Sequence, residues 1–193
     1  MGIEFELKYS ATPAQQAAIR ESVTESGRTI PMETTYYDTP TGDLSARRYT
    51  LRRRLENGTS VCTVKTPAGN LGRGEWEVEC EAIGDAILEL CKLGAPKDLL
   101  FWAEQSLTPI CGAKFTRTAY TVAMEGCTVE LALDAGILTG GGKQIPLCEV
   151  EVELKEGSRQ AAVAYAQALA AKFGLTAQPS SKFRRALALA KGE

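Results

Sequence analysis

From Ile3 to Tyr9 the chain reads Ile-Glu-Phe-Glu-Leu-Lys-Tyr, with apolar and charged residues alternating at every step. In a strand successive side chains point to opposite faces, so Glu4, Glu6 and Lys8 share one face, and Ile3, Phe5, Leu7 and Tyr9 the other. Placing two carboxylates side by side is unfavourable unless a cation neutralises them, and a row of oxygen ligands suits a hard ion such as Mg²⁺ or Mn²⁺. The same arrangement recurs in Glu149-Val150-Glu151-Val152-Glu153-Leu154-Lys155, where three carboxylates and a lysine face one way. A half-exposed antiparallel sheet with a merely solvated polar face would account for one such strand. Two point towards a site.

Other strand-like runs carry the same period. Arg52 and Arg54 alternate with Leu51, Arg53 and Leu55; Thr63 and Lys65 with Cys62 and Val64; Glu75, Glu77, Glu79 and Glu81 with Trp76, Val78 and Cys80; Glu130 and Asp134 lie opposite Val129, Leu131 and Leu133. Turned outward, these polar faces would leave the apolar faces to form a sandwich core. Turned inward, they would line a water-filled lumen whose apolar outer face is covered by helices. Period alone does not choose. The presence of acidic and basic strands together favours the lumen, since facing them across a cavity would bind a metal and a polyanion at once.

The punctuation between runs predicts the remaining elements. Thr12, Pro13 and Gln15 form a capping box that starts a helix of about 15 residues, with Gly27 closing it. Asn57-Gly58 reads as a hairpin turn between two strands. Short helices are expected over Asp85 to Leu93 and Pro96 to Gln105, and later ones over Ser158 to Phe173 and Ser181 to Lys191, with strands between. Many meander-like strands with inserted helices imply an α+β protein on a large antiparallel sheet. At 193 residues, 44% of them hydrophobic, the chain can bury a substantial core.

Composition then narrows the chemistry. There is no histidine, which removes the commonest general base, serine–histidine triads and histidine-rich zinc sites. The six cysteines, at positions 62, 80, 91, 111, 127 and 148, lack paired metal-ligand spacing and are expected as reduced thiols. A net charge of −2 suggests neither a nucleic-acid nor a membrane surface, and no apolar run approaches the roughly 20 residues that span a bilayer. A cytoplasmic location follows as the expectation.

These residues together resemble the CYTH domain, the triphosphate tunnel metalloenzyme superfamily. Glu4-Phe5-Glu6-Leu7-Lys8 matches its ExExK signature. The match continues in order through Tyr36-Tyr37-Asp38-Thr39, Leu51-Arg52-Arg53-Arg54, Thr63-Val64-Lys65, Arg73-Gly74-Glu75, Glu130-Leu131-Ala132-Leu133-Asp134, the Glu149 to Glu153 run and Ser181-Lys182. The resemblance covers essentially the whole chain as a single domain, is closest to bacterial inorganic triphosphatases, and finds no histidine-rich helical CHAD domain after it.

It implies a closed antiparallel β-barrel of about eight strands, a tunnel with a charged lumen and helices packed outside. It implies metal-dependent hydrolysis of inorganic triphosphate, with thiamine or nucleoside triphosphate hydrolysis, class IV-type adenylate cyclisation and noncatalytic polyphosphate binding as alternatives. Carried over by position, Glu4, Glu6, Glu149, Glu151, Glu153, Asp134 and Glu130 would hold Mg²⁺ or Mn²⁺. Lys8, Arg52, Arg54, Lys65, Arg117 and Lys182 would hold phosphate oxygens, with Arg73 and Arg185 as weaker candidates. Glu4, Glu6, Lys8 and Glu151 would carry the catalytic roles. Lys114 and Arg117 have opposite strand parity, and Arg117 is the choice of the two. The expected partner is a small anionic substrate, with no nucleic acid and no membrane, bound by a monomer or homodimer.

Overall fold

The computed structural model describes residues 2–67 and 73–193, with side chains over 5–67 and 74–193. Its frame is one antiparallel sheet of ten strands: β1 (Gly2–Glu4), β2 (Glu6–Ser10), β3 (Arg28–Asp38), β4 (Thr50–Glu56), β5 (Thr59–Pro67), β6 (Arg73–Glu79), β7 (Thr108–Met124), β8 (Cys127–Gly140), β9 (Lys143–Gly157) and the two-residue β10 (Thr176–Ala177). They lie in the order β1-β6-β5-β4-β3-β7-β8-β9-β2-β10. Six helices accompany them: α1 (Pro13–Ser22), α2 (Asp43–Ala46), α3 (Ile83–Lys92), α4 (Leu99–Ala103), α5 (Arg159–Phe173) and α6 (Lys182–Lys191). Among the described residues no helix is long and apolar enough to cross a membrane.

The two ends of this order meet on one stretch of chain. β1 pairs with β6, β2 pairs with β9, and only Phe5 separates β1 from β2. The α+β class and the antiparallel sheet stand as expected. A ring closed by hydrogen bonds is not what the ladders show: the sheet passes from β6 to β9 through the covalent chain at Phe5, whose carbonyl accepts from Leu154 N at 3.0 Å.

Local signals formed the elements they predict. Thr12 caps α1 by accepting from Gln15 N at 3.2 Å, while Thr12 N donates to Gln15 Oε1 at 2.7 Å. The helix stops at Ser22, five residues before Gly27, because Val23 is already extended and donates its N–H to the Ile19 carbonyl. Asn57 and Gly58, both at positive φ (50° and 90°), join β4 to β5 in the tight turn that matches strand twist. β7, β8 and β9 run to 17, 14 and 15 residues, well beyond the stretches marked by alternation alone.

Register assigns each side chain to a face. Directly paired residues share a face, so the ladders place Lys8, Glu151, Asp134, Arg117, Tyr36, Arg52, Thr63 and Glu77 on one side all the way across. The opposite side carries two apolar cores. Tyr9, Val129, Leu131, Leu133, Val150 and Val152 meet Ile19 of α1 and Ala162, Ala166 and Leu169 of α5. Leu51, Cys62, Val64 and Trp76 meet Ala86, Ile87 and Leu90 of α3 and Leu99 and Trp102 of α4.

α6 departs from the expectation that helices pack outside. Phe183 and Ala186 form a third core with Met32, Tyr36, Phe115, Leu138 and Leu147, which lie on the charged side of the sheet. Gly140 makes that approach possible, because a Cβ there would run into the Ala186 carbonyl and the Ala190 N–H. One stretch of the charged face is thus covered by a helix. The rest surrounds a cavity.

Candidate active site

The cavity has a volume of about 810 Å³, and residues of eight strands and α6 line it. Its acidic wall follows from register. Glu130, Glu153 and Glu6 stand directly opposite one another across β8, β9 and β2; one step along lie Ala132, Glu151 and Lys8, and one further Asp134, Glu149 and Ser10, with Arg117 of β7 beside Asp134. Carboxylates directly opposite on neighbouring strands repel. Lys8 Nζ lies 2.6 Å from Glu6, Lys155 Nζ 2.8 Å from Glu153, and Arg117 Nη1 3.7 Å from Glu130.

The deepest layer is a buried ion network. Lys182, the first residue of α6, brings Nζ within 2.8 Å of Asp134, 2.8 Å of Glu149 and 2.6 Å of Glu151. Arg117 forks onto Asp134 at 2.8 and 2.7 Å and also reaches Glu151, and Arg185 pairs with Glu149. Burial would push the Glu151 carboxyl up, but Lys182 and Arg117 hold it well below its ordinary range. Burial likewise acts to lower Arg117, yet Glu151 and Asp134 hold its guanidinium well above the usual value. Glu149 goes the other way: burial pushes its carboxyl up against the pull of Lys182. Lys182 is raised, because its three carboxylates outweigh the burial that opposes its charge.

The facing wall is basic. Arg52, Arg54 and Lys65 line the cavity, with Glu75 3.6 Å from Arg52 and 3.2 Å from Lys65, and Glu56 3.0 Å from Arg54. Burial lowers the Arg54 guanidinium, and repulsion from Arg52 and Arg117 lowers it further. The Nε–H groups of both Arg52 and Arg54 are buried without a hydrogen-bond partner among the described residues. Such donors are costly to leave unsatisfied, and an anion would satisfy them.

Of the residues singled out from sequence, Glu6, Lys8, Arg52, Arg54, Lys65, Arg117, Glu130, Glu151, Glu153 and Lys182 line the cavity. Asp134 and Glu149 lie behind it, wholly buried, and Arg185 touches Glu149. Glu4 and Arg73 are paired in backbone register, and their side chains lie outside the described residues. Lys114 sits on the other face, paired at 3.3 Å with Glu33, while Arg53 turns outward to Ser60 and Glu81. The Tyr36–Thr39 motif ends structurally: the buried Asp38 carboxylate accepts from the N–H groups of Thr39, Leu44 and Ser45, which fixes the turn into α2. Sequence reading left out Arg28, Glu56, Glu75, Glu77 and Lys155 as site residues although all line the cavity. Strand parity with Arg54, Arg73 and Glu153 was the signal for four of them.

As a metal site the acidic wall is chemically suitable. Asp134, Glu149 and Glu151 each offer an oxygen within 4.8 Å of the others, and the all-oxygen set fits a hard divalent ion. Lys182 holds the middle of that triad in this structure, while Glu6, Glu130 and Glu153 present oxygens along the cavity wall.

A family model of the CYTH domain matches residues 2–187. The chain belongs to the CYTH domain family. It is 29% identical over 158 residues to an inorganic triphosphatase of Haemophilus influenzae, matching 78% of this chain and 44% of that protein, so the chain spans less than half the length of this relative. Among solved structures it is similar to a Hippeastrum protein described as a putative adenylyl cyclase with a dominant triphosphatase activity (TM-score 0.67, 17% identity, 99% of this chain and 97% of that one). It is also similar to a putative adenylate cyclase from Bacillus halodurans (TM-score 0.60, 17% identity, 93% and 94%). At these identities the structural likeness speaks for the fold.

Proposed function

We propose that the protein hydrolyses inorganic triphosphate to pyrophosphate and orthophosphate, using Mg²⁺ or Mn²⁺, inside a tunnel formed where the sheet's two ends share the N-terminal strand. The observation that carries this reading is the division of the cavity into a carboxylate row and a basic wall with unpartnered guanidinium N–H groups. Eight cationic and seven anionic side chains are found among the described lining residues, so the wall by itself does not neutralise a polyanion. Divalent ions on the carboxylate row would supply the missing positive charge. The relative named an inorganic triphosphatase supports the choice of substrate.

In this reading Arg52, Arg54, Lys65 and Arg117 grip phosphate oxygens, and Lys8 and Lys182 serve as compact charges set among the carboxylates of the acidic wall. Glu6, Glu130, Glu151 and Glu153 would hold the metal, with Asp134 and Glu149 backing them, and Glu4 and Arg73 extending the two sets. When bound, the ion offsets charge on phosphate oxygens and makes water more acidic. The oxygen of a water attacks the terminal phosphorus in line, a carboxylate of the row takes its proton, and the bridging oxygen leaves with its electron pair on pyrophosphate. Lys182 and Arg117 hold Glu151 ionised.

Phosphate release from inorganic triphosphate, ATP and thiamine triphosphate, each with Mg²⁺, Mn²⁺ or chelator, tests the proposal. Metal-dependent turnover with preference for inorganic triphosphate is expected. Cyclic AMP from ATP, or binding of polyphosphate without turnover, would overturn it.

A further inference from the structure

Gln16 lies on α1, on the side of the sheet away from the cavity, and is only 3% exposed. Its side-chain nitrogen donates to two main-chain carbonyls, Asp134 O at 3.0 Å and Glu149 O at 2.8 Å. These two residues are direct partners across β8 and β9, and their carboxylates emerge on the opposite face, both fully buried, to receive Arg117, Lys182 and Arg185. One amide therefore grips, from behind, the backbone pair from which the ion network grows. Both of its N–H donors are used, so the grip has a direction as well as a place.

We propose that Gln16 is a positioning residue for the active site: it fixes the Asp134–Glu149 pair so that Arg117 and Lys182 meet the substrate in reactive geometry. This inference rests on the triphosphatase reading above. A buried polar side chain bonded to two carbonyls of a sheet does more than fill space, since an apolar residue of the same length would leave both carbonyls without this donor. The basic wall is built separately: Arg52, Arg54 and Lys65 belong to β4 and β5, on the far side of the cavity, where Arg54 feels Arg117 only as a repelling charge. Loss of Gln16 should thus leave ground-state binding by those residues largely intact and disturb the groups that act on the reacting phosphate.

The neighbouring Gln15 supplies the control. It caps α1 and donates to the Phe173 and Gly174 carbonyls, so its removal loosens the same helix without touching β8 or β9. Gln16→Met, which keeps the length and removes the donors, is expected to lower kcat for triphosphate about 10–100-fold, the usual scale for groups that orient others in a site, with KM changed less than about twofold. Gln15→Ala is expected to lower thermal stability with kcat unchanged. Gln16→Asn, which keeps the amide but shortens its reach, gives the same comparison should the methionine variant not fold. The Arg117 Nε–H resonance provides a readout independent of turnover and is expected to move in the Gln16 variants and stay in Gln15→Ala. A Gln16 variant that merely loses stability, with kcat and the Arg117 resonance as in wild type, overturns the inference; wild type inactive on triphosphate with the resonance still responding would sink the substrate reading alone.

Discussion

Replacing Lys182 by Met puts the buried network to its strictest test. The ammonium touches three carboxylates at 2.6 to 2.8 Å and is 9% exposed, while Asp134 and Glu149 are fully buried. Methionine keeps the stem and removes the charge, leaving three carboxylates to share Arg117 and Arg185. Breaking a buried pair by deleting one partner costs about 3–5 kcal/mol, mostly from the charge left behind. For a chain of this size that corresponds to a fall in Tm of about 6–20 °C. Glu151→Gln with Lys182→Met removes one charge from each side, so the double variant should lose less than the sum of the singles, with a coupling of about 1–3 kcal/mol in a double-mutant cycle. Mg²⁺ is expected to raise the Tm of Lys182→Met more than that of wild type, because the vacated oxygens can take the ion. Urea and thermal denaturation followed by circular dichroism would measure all three. A loss under 1 kcal/mol for Lys182→Met, or strict additivity with Glu151→Gln, would refute the account of Lys182 as the network's central cation.

Two further outcomes follow from the same electrostatics. Arg54→Ala relieves repulsion with Arg52 and Arg117 and removes an unpartnered buried N–H, so stability without substrate should hold while KM for triphosphate rises about 10–150-fold, the worth of hydrogen bonds to a charged group; a destabilised variant with unchanged KM would contradict this. Glu151, whose carboxyl is held below its ordinary range, contributes stability that is present above the unfolded value of 4.5 and lost as pH falls through the depressed folded value. Acid titration of stability should therefore be shallower in Glu151→Gln than in wild type below about pH 4.5, and identical acid limbs would count against the pairing.

How far the sequence foretold this arrangement depended on the range of the signal. Alternation is a local rule, and it correctly put Glu6 with Lys8, Arg52 with Arg54, and Arg117 on the opposite face from Lys114. Thr12 with Gln15 and Asn57 with Gly58 worked for the same reason, each being settled within four residues. Where α6 would pack was not written locally: the spacing of Phe183 and Ala186 makes a helix face, but an apolar helix face suits either side of a sheet, and only Lys182 and the bare backbone at Gly140 mark the charged side. Gln16 looked like any polar residue in the first turns of a helix, since its partners are main-chain carbonyls with no signature of their own. The full lengths of β7, β8 and β9 were hidden by glycines and two prolines, Pro109 and Pro146, that interrupt the alternation.

The sharing of one short segment between β6 and β9 also bears on how the molecule comes together. Glu6 pairs with Glu153 across most of the chain, whereas β3 to β6 and β7 to β9 are built largely from neighbours in sequence. The nearby hairpins can form early and β1 can pair with β6, but β2 finds its partner only once β9 exists, and such distant pairing is the slow part of β-rich folding. Until then the carboxylates of β2 and β9 remain apart, and β9 keeps an open edge on which another chain could pair. Glu6 therefore joins Glu153 and Glu130, already paired within the β8–β9 hairpin, only through a contact that spans most of the chain.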